Sequence, residues 1–299
     1  MGLTEPASRG FNSGPEWVMG GTMRESTERG ELRALAGDLE GAHAPEIRRA
    51  VREILRQFGD NGSLLGEIQE LASAEEPEAR HIACGLLTRC FTENRTKTAK
   101  LLEQLAADKD WTVREAAGQA AGSLLRTSFK DVLEILRRFA GHESAHVRRC
   151  VPMAAMKAAR TRRLEYAEPL LKLLAPLLDD RDPIVRRSLG PFALGGGLLR
   201  AYPDAAFEYL VQWSTSYDAQ VLWNIAMAFS GAGAAEMPRK AIIVLRKLSL
   251  DERRYVWRAV ASAMWKLGRR EEDVVRDELA RWLEDPDRHH VARAALQHL

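Results

Sequence analysis

The chain has 299 residues, of which 45% are apolar and 7% aromatic, and it carries a formal net charge of +2. That apolar share is enough for a continuous core, while the near-neutral balance excludes a uniformly basic nucleic-acid protein, so any anion-binding surface must come from where the charges lie. No apolar run reaches the roughly 18 residues of a membrane span, and the N-terminal stretch lacks a basic-then-apolar export pattern, so a cytoplasmic protein away from membranes is expected.

Residues 1–30 mix Gly, Ser, Pro and charge without periodicity and read as a flexible N-terminal arm or cap before a single repeat domain over 31–299. From position 47 one phrase recurs: an aliphatic or small residue, one or two arginines, then an alanine-rich apolar run. Its anchors are Ile47, Ala79, Val113, Val147, Val185, Val221, Val256 and Val291, spaced 32, 34, 34, 38, 36, 35 and 35 residues apart. A period in that range marks stacked helical hairpins, and about seven or eight of them use the whole length.

Within each unit an amphipathic first helix, a polar turn and a second helix starting near the anchor are expected from apolar residues three and four apart. Leu101, Leu102 and Leu105 precede a helix from Trp111 to Leu125, and Val132 to Leu136 precede Ala145 to Ala159. Leu170 to Leu174 precede Ile184 to Leu199, and the pairing continues as 202–214 with 218–230, 238–249 with 252–267 and 271–284 with 288–298. Asp, Glu, Ser and His before the anchors suit N-caps. No stretch alternates with period two, so the fold class is all-α: a C-shaped α-solenoid. Pro152 and the run Gly190-Pro191 to Gly195-Gly196-Gly197 break the helical rules at mid-chain. They suit either a bend common in stacked hairpins or bare backbone that admits a ligand or a close neighbour.

Arginines dominate the candidate site. Arg48, Arg80, Arg114, Arg148 and Arg186 follow their anchors, where repeats of the HEAT type place an arginine bonded to an acid of the preceding turn; Asp108 and Asp180 stand five residues before their anchors as such acids. The second column, Arg49, Arg149, Arg187, Arg258 and Arg293, has no such structural duty and lies on a neighbouring face. Residues 143–200 hold eleven Lys and Arg against six Asp and Glu. Such a stripe suits either a phosphate backbone or a solvated, salt-bridged face. Trp111, Trp213, Trp223 and Trp257 lie at or near helix starts or in the facing helix, fit for core packing or for contact with sugars and bases. Cys84, Cys90 and Cys150 read as structural thiols. His142, His146 and Cys150 are four apart, but without a Cys-x-x-Cys or His-Glu-x-x-His motif no metal is expected, nor is a cofactor, since no phosphate-binding glycine loop is present.

Three phrases together carry a likeness: Asp110-Trp111-Thr112-Val113-Arg114-Glu115, His146-Val147-Arg148-Arg149-Cys150-Val151, and Asp182-Pro183-Ile184-Val185-Arg186-Arg187-Ser188-Leu189-Gly190, running on through Tyr202-Pro203-Asp204 to Trp213. In order and spacing they resemble the bacterial DNA alkylation repair proteins of the AlkC/AlkD type, HEAT-like repeat DNA glycosylases, over roughly residues 95–230. The resemblance implies a monomer that holds alkylated or damaged double-stranded DNA in its groove, contacts the lesion from the backbone side and hydrolyses the N-glycosidic bond of alkylated, cationic purines. It matches Glu115 to an acidic catalytic residue and Trp111 to an aromatic near it. Arg114, Arg148, Arg149, Arg186, Arg187 and Arg258 would hold phosphates, with Trp111 and Trp213 lining the groove. The chain departs from the pattern at Met153, where an acid is usual, and at Pro191 and Gly195, where Asn and Asp are usual. A non-catalytic scaffold that binds a protein partner or branched DNA is the alternative reading.

Overall fold

The computed structural model describes residues 39, 41–58 and 64–299, and the arm expected over residues 1–30 lies outside them. The described residues form helices and turns only. The helices are α1 (Ala44–Phe58), α2 (Leu65–Ala72), α3 (Pro77–Cys90), α4 (Arg95–Ala106), α5 (Trp111–Thr127), α6 (Phe129–Ala140), α7 (Ala145–Ala158), α8 (Ala167–Leu174) and α9 (Pro183–Ser188). A π-helical segment (Leu189–Leu198) and α10 (Leu199–Ala201) continue α9, followed by α11 (Pro203–Trp213), α12 (Ala219–Ala228), α13 (Pro238–Leu248), α14 (Arg254–Gly268), α15 (Glu272–Leu283) and α16 (His289–Leu296).

The hairpins pair α2 with α3, α4 with α5, α6 with α7, α8 with α9–α10, α11 with α12, α13 with α14 and α15 with α16; α1 stands before them in the row of second helices. Each anchor falls in the first turn of a second helix, and Val113, Val147, Val185, Val256 and Val291 are fully buried. The anchor sets the helix rotation, so its recurrence makes successive second helices present equivalent faces. A single hydrophobic core runs from Ile47 to Ala295.

The two layers differ in the size of what they bury. First helices bury Leu, Ile and Phe, as in α6 (Val132, Leu133, Ile135, Leu136, Phe139), whereas the central second helices add many small residues, as in α5 (Ala116, Ala117, Gly118, Ala120, Ala121, Gly122) and α7 (Ala154, Ala155, Ala158). Small contact residues let helix axes approach toward the short end of the 8–10 Å range. Adjacent second helices lie against one another along their length, as α5 does on α3 and α7, whereas adjacent first helices meet only sparsely, so the stack bends toward the second helices, which form its inner wall.

The mid-chain irregularity is a π-helical segment in this inner row. Pro191 offers no N–H to the helical ladder, and the widened turn takes up the mismatch. The glycines here serve packing. A Cβ on Gly195 would stand 2.1 Å from the carbonyl oxygen of Ala228, and Gly231 lies against the Gly195 backbone. Of the two explanations for the bare backbone, a close neighbour is the one found at Gly195.

Candidate functional site

The first arginine column builds the turns. Arg80 donates from Nε to Asp108 Oδ2 at 2.7 Å and from Nη1 to the carbonyls of Ala74 and Glu75. Arg148 repeats this with Asp180 Oδ2 at 2.6 Å and the carbonyls of His142 and Glu143. Arg114 keeps only the carbonyl half, donating to Asp108 and Lys109, because His142 stands where the acid would be. The expected acid of the preceding turn is thus corrected: Arg80 and Arg148 each tie the carbonyls of their own preceding turn to a carboxylate in the turn of the following repeat. Asp110 and Asp182 then cap α5 and α9 by accepting from backbone N–H groups two residues on, Thr112 and Ile184. Burial alone would raise the Asp110 carboxyl, but hydrogen bonds from Thr112 and Val113 outweigh it and hold it below the usual range.

Arg186 leaves this pattern. Its Nη1 donates to the Tyr255 hydroxyl at 2.7 Å, two repeats further on, and its guanidinium lies 5.6 Å from the Trp223 ring centroid and 5.7 Å from that of Tyr255.

The second column yields the chemically informative cluster. Arg149 donates from Nη2 to Glu115 Oε2 at 2.8 Å and from Nε to Ser188 Oγ at 3.2 Å, linking α5, α7 and α9 across three repeats. Arg149 was expected to be free of structural duty; it bridges two neighbours instead. Glu115 stays partly exposed, with a side chain 42% accessible. One helical turn before it, Trp111 is 67% exposed, far more than a core tryptophan. Four residues past Arg149, the buried Met153 lies over Gly118, where a Cβ would stand 2.5 Å from its Cε. Four residues past Ser188, Phe192 is 60% exposed on the π segment. A carboxylate, a guanidinium and a hydroxyl thus share one stripe of the inner wall, with an uncovered ring on the helix at either side.

Arg187 and Arg258 occupy the same column further along, both exposed and without an ion pair among the described residues. Trp213 does not join them. It lies half-buried on the first-layer helix α11 against Tyr209, with ring centroids 5.3 Å apart. Ser188 and Phe192 escaped the sequence reading. Ser188 stands in the third of the three phrases but was given no role, and Phe192 follows the Gly190-Pro191 break with no motif of its own.

Near this stripe, burial first, then the neighbouring Arg114 and Arg149, hold the His146 imidazole below its ordinary pKa, partly opposed by Asp182. Burial also pushes the Cys150 thiol up to about 12, so it is protonated at neutral pH. Among the described residues no group of three or more His, Cys, Asp or Glu comes together to hold a metal ion, and no helix is long and apolar enough to cross a membrane.

Residues 37–192, just over half of the chain, match the DNA alkylation repair enzyme family. The chain belongs to that family. The matched span contains Trp111, Glu115, Arg149, Ser188 and Phe192, so the inner-wall cluster lies wholly within the part shared with DNA alkylation repair enzymes, whereas Trp223, Tyr255 and Arg258 lie beyond it. Similar solved structures include YibA of E. coli, 17% identical over 93% of this chain and 98% of that one, with a TM-score of 0.38. AlkD2 from Streptococcus mutans is also 17% identical, over 89% of this chain and 97% of that one, at 0.32. A designed armadillo repeat protein in complex with the peptide (KR)4 is 18% identical, over 79% and 99%, at 0.30. No curated protein matches the sequence. At these scores no functional weight rests on the structural likenesses.

Proposed function

We propose that the inner wall binds duplex DNA and hydrolyses the N-glycosidic bond of alkylated purines, with Glu115 as the acting carboxylate. The observation that carries this reading is the Glu115–Arg149 pair beside the exposed Trp111, inside the span matched to the DNA alkylation repair enzyme family. An N-alkylated purine already bears positive charge. The bonding pair of the C1′–N bond leaves with the base, which departs neutral, and the sugar is left as an oxocarbenium ion. A carboxylate fixed next to that cation stabilises it electrostatically, and it can accept a proton from the water that adds at C1′. Arg149 holds Glu115 through Oε2 and so orients the carboxylate, and Trp111 offers a flat face one turn away. Arg187 and Arg258, free of ion pairs among the described residues, supply charge for phosphates.

The buried Met153, where the resemblance implies another acid, favours a second reading: the same wall binds damaged or branched DNA, or a protein partner, without hydrolysis. Incubating the protein with methylated duplex and measuring released 7-methylguanine and 3-methyladenine separates the two. Hydrolysis predicts release that falls roughly a hundredfold or more in Glu115→Gln with duplex affinity kept. Duplex binding without release leaves the binding reading alone. Affinity that does not change between low and moderate salt sinks both DNA readings.

A further inference from the structure

Beyond the family-matched span, the inner wall changes character from charge to rings. In the column that carries Arg149, the next three repeats place Arg187, Trp223 and Arg258. Trp223 therefore stands between two exposed guanidinium groups that make no ion pair among the described residues. The ring is not isolated. Tyr255 lies nearly parallel to it, with centroids 5.9 Å apart and planes 14° from parallel. The Tyr255 hydroxyl is fixed on both sides, accepting from Arg186 Nη1 at 2.7 Å and donating to Gln220 Oε1 at 2.6 Å. Gln220 is almost fully buried, so its end of the chain of bonds is rigid. Arg186 meanwhile lies close to both rings. Tyr255 itself remains 37% exposed, which leaves ring surface open to solvent.

A ring pair locked by hydrogen bonds gives up little conformational freedom when something flat lies on it, so its stacking is available at low entropic cost. Core packing alone does not explain why a tyrosine so exposed is held by two directional bonds. The flanking charges say what kind of flat group fits. A carboxylate-poor column with guanidinium groups on both sides favours a polyanion whose own units carry planar faces. With neighbouring inner helices about 9 Å apart, Arg187 and Arg258 are separated by on the order of 20 Å, enough for a short run of nucleotides with a base at the middle. Bases inside a duplex already stack on each other and offer no face to such a platform; unpaired bases do.

We infer that Trp223 and Tyr255, braced by Arg186 and Gln220 and flanked by Arg187 and Arg258, form a stacking platform for an unpaired nucleotide of a strand continuing from the bound duplex. The inference rests on the reading of the inner wall as a DNA-binding surface, and it assigns that surface a second element that distinguishes single-stranded from paired substrate.

The test measures fluorescence-anisotropy affinities for three probes: a plain duplex, the same duplex with a short single-stranded overhang, and the overhang oligonucleotide alone. The wild type should prefer the overhang duplex by about tenfold, the effect of one stacked base. Tyr255→Ala should remove that preference and leave the plain duplex unchanged, while Tyr255→Phe, which keeps the ring, should retain most of it. Thermal melting of both variants checks that the fold is intact. Equal affinity for the two duplexes, or a Tyr255→Ala loss that is the same on plain and overhang duplex, overturns the platform. If the plain duplex fails to bind at all, the duplex reading has failed, and the oligonucleotide alone decides. Binding that Tyr255→Ala abolishes sustains the platform, and absence of binding overturns it too.

Discussion

Arg148 and Arg187 each sit in an Arg-Arg pair at the start of an inner helix, and truncating them to alanine should have opposite consequences. Arg148 makes four hydrogen bonds: two to Asp180 and one each to the His142 and Glu143 carbonyls. Asp180 is only 7% exposed in its side chain and would keep one partner, the Asp182 backbone N–H at 2.9 Å. Breaking a buried pair by removing one member costs about 3–5 kcal/mol, and because Arg148 is itself 20% exposed the low end applies, about 3 kcal/mol. At about 2–4 °C per kcal/mol for a chain of this size, calorimetry should show a melting temperature lower by roughly 6–12 °C. Arg187 is exposed and has no ion pair among the described residues, so Arg187→Ala should stay within about 0.5 kcal/mol of the parent. It should instead flatten the dependence of log affinity on log salt for duplex DNA by about 0.9, the signature of one lost phosphate contact. Wild-type melting in Arg148→Ala, or a salt slope that falls as much in Arg148→Ala as in Arg187→Ala, would refute the division into a building column and a binding column.

The glycine run gives a matched pair of predictions. Gly195→Ala should lower stability by about 2–3 kcal/mol, because its Cβ meets the Ala228 carbonyl at 2.1 Å and backbone must move, whereas Gly196→Ala, whose nearest atom is the Pro191 oxygen at 3.5 Å, should gain up to about 1 kcal/mol; denaturant titration reads both signs. The lowered Asp110 carboxyl stabilises the fold fully above its unfolded pKa of about 4 and loses that contribution as pH falls through the lower folded value. Asp110→Asn should therefore flatten the acid limb of a stability-against-pH curve below about pH 4, and an unaltered limb would count against the cap.

Much of the fold was legible because one buried anchor per repeat fixes helix rotation: the period, the hairpin pairing and the all-helical class follow from Val113, Val147, Val185 and their equivalents. The turn chemistry was half legible. Asp108 and Asp180 were identified as the acids, but a linear sequence does not say whether an acid serves the arginine after it or the one in the repeat before, and the stacking makes it the latter. Glu115 and Arg149 were singled out separately. Their pairing depends on the offset between adjacent inner helices, which the packing of α5 on α7 sets and no local motif encodes. Phe192 lies four residues past Ser188 and so on its face at helical spacing, but Gly190-Pro191 and the glycines that follow interrupt the helical pattern, so no continuous face could be read through it. Trp213 shows the converse: a tryptophan well placed in sequence sits in the other layer.

The departure of Arg186 has an identifiable cause, and it links the ladder to the ring platform. Arg80 and Arg148 are captured by the residue five before the next anchor, Asp108 or Asp180, whose Oδ1 also accepts from the backbone N–H two residues on. In the repeat after Arg186 that position is Ser216, and its Oγ likewise accepts from the Asp218 N–H at 3.1 Å. The local turn is conserved in shape between repeats, but the charge that would hold Arg186 is missing, so the guanidinium turns to the Trp223 and Tyr255 rings. Ser216→Asp restores the carboxylate. Arg186 should then return to the ladder, a part-buried ion pair should form, and the Tyr255 hydroxyl should lose one of its two bonds. The expected results are equal or higher thermal stability together with a weakened preference for overhang over plain duplex. An unchanged preference in a variant whose stability has risen would mean that Arg186 does not brace the rings, and that Trp223 and Tyr255 hold their geometry by packing alone.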